Sequence, residues 1–127
     1  MTLFFWSVGA VAAAFGIAIT LTPIGWARRF GWPTSPEGSL DQRERNLSLY
    51  FGRCLGVLVL AFAVTAFAAA ASGNPPRLLL LFAVLLGAGL TAVHIYGAIR
   101  RIQPIIETIE IAFYGGLTVW GLVLYLG

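Results

Sequence analysis

Lysine is absent from this chain of 127 residues, and cysteine, histidine and methionine occur once each. The single Cys54 excludes a disulfide framework and a paired-thiol redox motif, and one cysteine with one histidine cannot by themselves supply a zinc site. No P-loop, dinucleotide fingerprint, HExxH or nucleophile elbow is present, which sets aside nucleotide-dependent and hydrolytic catalysis. Charge is scarce as well: charged residues make up 10% and hydrophobic residues 59%, with a mean hydropathy of +0.88. So few charges cannot cover a water-soluble domain of this size, and so much apolar side chain excludes a disordered one. The apolar excess must face lipid.

Four apolar stretches approach the roughly 20 residues that a helix needs to cross a ~30 Å hydrocarbon core. They cover about 3–26, 47–71, 78–99 and 105–126, which predicts an all-α, polytopic membrane four-helix bundle of up-down topology in a single domain, 1–127. Two connectors are tight and one, 27–46, is a true loop. Seven of the eight arginines lie in the connectors and are placed rather than spread: Arg28, Arg29, Arg43 and Arg45 in the first connector, Arg100 and Arg101 in the third, and only Arg77 in the second. By the positive-inside rule the connectors 27–46 and 100–104 are cytoplasmic and both termini lie outside, a multi-pass protein of the cell membrane. The net charge of +3 therefore reports topology, not an acidic or nucleic-acid partner. Trp6, Trp120 and Tyr125 fall at the outer boundary and Trp26, Trp32 and Tyr50 at the inner one, as aromatic belts do. The first stretch lacks the basic leader of a cleavable signal, so it is read as a span. Ser39 and Gln42 are spaced as a capping box at Leu40, with Asp41 and Arg45 paired one turn apart, and Pro23 is expected to bend or end the first helix.

Ionisable groups inside spans are expensive and mark sites by default. Here they are Arg53 in the second span, His94 in the third, and Glu107 and Glu110 in the fourth. Counting turns puts Arg53, His94 and Glu110 in one layer, roughly 9 Å below the inner boundary at ~1.5 Å per residue. His94 and Glu110 are equidistant from the hairpin centre near Ile102; Thr91 and Tyr114, one turn from each, extend the polar strip, and Gly16 and Thr20 lie near that depth. Three of the four ionisable groups have a plainer reading, and Glu110 is the least easily explained away because a carboxylate cannot snorkel far. Arg53 is able to snorkel to headgroups, His94 to pack as a hydrogen-bonded core residue, and Glu107 to complement the N-terminal dipole of its helix while reaching interfacial water. Gly52 and Gly56 form a GxxxG, and Ala83 with Gly87 a small-xxx-small pair, for close helix approach within the bundle.

Several of these features occur together: Pro23 and the segment Trp26-Ala27-Arg28-Arg29-Phe30-Gly31, then Arg53-Cys54-Leu55-Gly56, the turn Asn74-Pro75-Pro76-Arg77, His94, and an acid early in the fourth span. In this the chain resembles the small four-helix membrane proteins of the DoxX-like kind, over most of its length. The resemblance implies a membrane subunit associated with quinone-linked redox chemistry; the connector holding Ser35 to Ser39 is longer than in such proteins. Composition and spacing alone indicate no cofactor.

Three functions follow as expectations. The first is a non-catalytic accessory subunit that contacts lipid and assembles as a homo-oligomer or with a membrane partner, its layer of Arg53, His94 and Glu110 holding the bundle together. The second makes the polar layer a site for a lipophilic ligand such as a quinone, where His94 and Glu110 exchange protons with its headgroup. The third, a small oligomeric transporter or pore, is disfavoured because the first span carries no acid to drive proton-coupled export.

Overall fold

Proline and glycine punctuate this chain, and the secondary structure follows them. The computed structural model describes residues 1–32 and 42–127, and among these the regular structure is entirely helical. In order come α1 (Thr2–Leu21), α2 (Pro23–Arg29), α3 (Gln42–Ala71), α4 (Arg77–Arg100) and α5 (Ile105–Leu126). All but α2 are long and apolar enough to cross a membrane.

The first apolar stretch is thus two helices. Thr22 breaks the run with φ −137° and ψ 64°, and Pro23 opens α2, since its ring and missing N–H prevent it from continuing the α1 ladder. Pro76 and Pro104 sit in extended conformation at the N-caps of α4 and α5. At the start of α3, Ser39, Leu40 and Asp41 lie outside the described residues, while the Gln42 side chain donates to Asn46. At 30 residues α3 is about 45 Å long, more than a hydrocarbon core requires.

Small residues let the helices pair closely. On the α1–α3 seam Gly9 meets Phe67, Gly16 meets Leu60, Gly56 meets Thr20, and Gly52 meets Pro23 of α2, so rising numbers on one side face falling numbers on the other. The glycines of the GxxxG therefore serve contact within the chain. On the α4–α5 seam Gly87 faces Thr118 and Gly121 faces Val84. The helices of the two pairs pack on each other at one end. Phe4, Phe5, Ala66, Ala69, Ala70, Leu80 and Ala83 form a buried core there, with Leu117, Trp120 and Leu124 packed against it. Phe4 sits edge-on to Phe5 and Trp120 at 5.5 and 5.3 Å, geometries that add to simple burial. Arg77 ties the same end, donating to the Tyr125 carbonyl and lying 5.3 Å over its ring.

Outward-facing positions stay apolar: Leu58 and Val64 on α3, Leu78 and Val93 on α4, and Ile109 and Val119 on α5 are each more than half exposed. Such a surface suits acyl chains and not water.

Candidate functional site

Away from the aromatic core a cavity of about 570 Å³ is lined by residues of both helix pairs. Its walls are apolar, from Phe15 and Ile19 on α1, Ile24 and Trp26 on α2, Gly52 and Leu55 on α3, and Leu90 on α4. Its polar side is one cluster: His94, Glu107, Glu110 and Tyr114, with Trp32 beside it.

The hairpin of α4 and α5 builds this cluster. Glu107 and Glu110 stand three residues apart, on one face of α5, and His94 lies between them on α4. Its Nε2 is 3.0 Å from Glu107 Oε2 and 3.4 Å from Glu110 Oε2. Its Nδ1 is 2.7 Å from the Leu90 carbonyl one turn back; a carbonyl only accepts, so Nδ1 carries the hydrogen and Nε2 is presented to the carboxylates. The side chains of Glu107 and Glu110 keep only 18% and 13% of their exposure, so neither is hydrated as a surface carboxylate would be. The Tyr114 ring packs 5.1 Å from the imidazole, and its hydroxyl is directed at Glu110.

Trp32 reaches the cluster through a backbone device. After α2, Gly31 takes a left-handed conformation, φ 84°, in which its N–H bonds Arg28 and the Trp32 N–H bonds Ala27. This stop folds the chain back. The Trp32 indole then donates to Glu107 Oε1 at 2.9 Å, the oxygen that does not face His94. A side chain at Gly31 would be strained by that φ and would press on Pro104. On the hairpin side, Arg101 also adopts a left-handed φ of 54° to end α4, ahead of Pro104.

The expected layer of Arg53, His94 and Glu110 is therefore only partly assembled. His94 and Glu110 meet, and Tyr114 joins them. Arg53 does not: Ser48, Gly52 and Leu55 turn toward the cavity, and Arg53, about 100° around the helix from Gly52, is exposed on another face. Thr91 lies at the α4–α5 seam but spends its hydroxyl on the Gly87 carbonyl at 2.8 Å. Thr20 is spent on helix packing, its buried hydroxyl against Gly56 and without a hydrogen-bond partner among the described residues. Cys54 is exposed. Glu107, expected to complement the helix dipole and reach interfacial water, is instead a central member that bonds both His94 and Trp32. The i, i+3 spacing of the two glutamates was a sufficient sign that both would face His94. Nothing local marked Trp32.

Comparison with known protein families, curated proteins and solved structures finds no match to this chain.

Proposed function

We propose that this chain is a multi-pass membrane protein, an up-down four-helix bundle with both termini outside and the connectors 27–46 and 100–104 in the cytoplasm, which binds a lipophilic molecule with a polar headgroup. The single observation behind this reading is the cavity: apolar and aromatic walls leading to a compact polar cluster, on the side where the arginine-rich connectors lie. Ligand sites have this make-up, with a few convergent polar groups in an apolar cleft. Two carboxylates dominate the polar end, so the headgroup that suits it offers hydrogen-bond donors. A phenol or a hydroquinone does so.

That chemistry also favours the quinone-linked reading suggested by the DoxX-like resemblance, with the reduced form held more tightly than the oxidised one. A through-pore within one chain has less support, because Phe4, Phe5 and Leu80 close the far end.

The test is made on detergent-purified protein. Native mass spectrometry is expected to show a bound lipophile on the wild type and none on Ser48→Phe, which places a ring in the cavity from α3 and keeps every side chain of the polar cluster. Titration with a short-chain benzoquinol should quench tryptophan fluorescence saturably, since Trp26 and Trp32 line the cavity. A wild type that carries no lipophile and shows no saturable quenching overturns the reading.

A further inference from the structure

The three ionisable groups of the cluster are also a set of ligand atoms. His94 Nε2 and one oxygen from each of Glu107 and Glu110 all lie within 4.8 Å of one another. The two separations from Nε2, 3.0 and 3.4 Å, are informative. An ion about 2.0–2.2 Å from each ligand holds adjacent donors roughly 2.9–3.5 Å apart, whether its shell is octahedral or tetrahedral. His94 Nε2 already stands at that spacing from both carboxylates.

Two features outside the three ligands point the same way. Metal-bound histidines nearly always donate their other ring N–H to a carbonyl or carboxylate, which fixes the tautomer and the ring plane. His94 does this through the Leu90 carbonyl. Ligating carboxylates are in turn held by hydrogen bonds, and Trp32 holds Glu107 by the oxygen turned away from Nε2. Charge makes the third argument: among the described residues the cavity lining includes two carboxylates and neither arginine nor lysine, in surroundings where unbalanced charge is costly. A divalent cation balances them.

We propose that His94, Glu107 and Glu110 bind a divalent transition-metal ion of the manganese-to-zinc series, with Trp32 as the outer-shell partner of Glu107. One imidazole and two carboxylates suit ions of this borderline class; calcium requires six to eight oxygens, and copper(I) prefers thiolate or thioether. Three protein ligands leave at least one coordination position directed into the cavity, beside Tyr114. The site needs only the α4–α5 hairpin and Trp32, not a lipophile in the cavity, and so goes beyond the reading above.

The experiment uses tag-free protein in detergent, stripped with a chelator and titrated with Co(II) while the visible d–d bands are recorded, with Zn(II) by calorimetry as the second probe. One equivalent per chain is expected, without the thiolate charge-transfer band that Cys54 would produce. Glu107→Gln, Glu110→Gln and His94→Ala should each weaken binding at least a hundredfold. Trp32→Phe, which keeps all three ligands, should weaken it about 10–100-fold, as loss of an outer-shell partner does; it carries the test if a ligand variant fails to fold. Ser48→Phe should bind Co(II) as the wild type does, so that this proposal and the lipophile reading fail separately. A wild type with no saturable one-equivalent binding, or binding unchanged in both Trp32→Phe and the folded ligand variants, overturns the proposal.

Discussion

Replacing Gly56 with alanine should destabilise the protein although it adds a single methyl group. That methyl would lie 2.7 Å from the Thr20 backbone nitrogen and 3.0 Å from the Gly16 carbonyl oxygen, with the Thr20 hydroxyl closer still. Carbon contacts rest at about 3.5–4.0 Å, so the α1 backbone must withdraw by roughly 0.8 Å. A backbone cannot swing aside as a side chain can. The withdrawal opens the seam at its neighbouring contacts, Gly16 on Leu60 and Gly9 on Phe67, and a gap of that size forfeits about a quarter to a half of each dispersion contact. Overpacking of this kind costs about 1–3 kcal/mol. Gly89 and Gly116 provide the control, because a methyl on either meets nothing within 4 Å. Alanine there leaves the packing intact and restricts only the unfolded chain, an effect of up to about 1 kcal/mol in the stabilising direction. Midpoints of thermal unfolding in detergent, followed by loss of the monodisperse peak on size exclusion, compare the three variants. If Gly56→Ala melts with Gly116→Ala, or above the wild type, the close α1–α3 seam described above is wrong.

Gly31→Ala should cost about 1 kcal/mol through its left-handed φ, and it should also shift the tryptophan emission by withdrawing Trp32 from Glu107; an unchanged spectrum would refute the link between that turn and the cluster. Arg77→Met removes both contacts to Tyr125 and should lower the unfolding midpoint by an amount corresponding to about 1–2 kcal/mol, whereas Arg53→Met, at an exposed position, should leave it within about 0.5 kcal/mol. In a Cys54→Ala background, a cysteine at Ser72 should react with a membrane-impermeant maleimide in right-side-out vesicles, and one at Arg29 only after permeabilisation. The reverse pattern would invert the proposed topology.

Where information is local, structure was legible in the sequence. The four apolar runs and their proline boundaries lead within a few residues to the observed helices, because hydropathy and the missing N–H of Pro23 and Pro104 act at their own positions. The meeting of His94 with Glu110 was also legible, since a short connector makes the register of a hairpin a matter of counting. Arg53 was grouped with them by counting turns, but it stands on another face of its helix. Which face of α3 turns inward is decided by Gly52 and Gly56 against α1 and α2, a tertiary choice that no count of turns contains. Glu107 was named among the candidates but left out of the layer, because a carboxylate in a first helical turn already has a complete local explanation. Trp32 was hidden by the left-handed stop at Gly31, which reverses the chain and turns a boundary tryptophan into a hydrogen-bond donor of the site.

The joining of the two helix pairs at one end has a mechanical consequence. With Phe4, Phe5 and Leu80 locked together, that end is a fulcrum, and each pair is a lever about as long as a bilayer is thick. A rotation of about 5° across ~30 Å moves the far end by ~2.6 Å, enough to widen or narrow the cavity mouth by a large fraction of a methylene chain's width. Such rocking disturbs the locked end least and leaves both glycine seams intact, and it is limited at the far end by the Trp32–Glu107 hydrogen bond that crosses between the pairs.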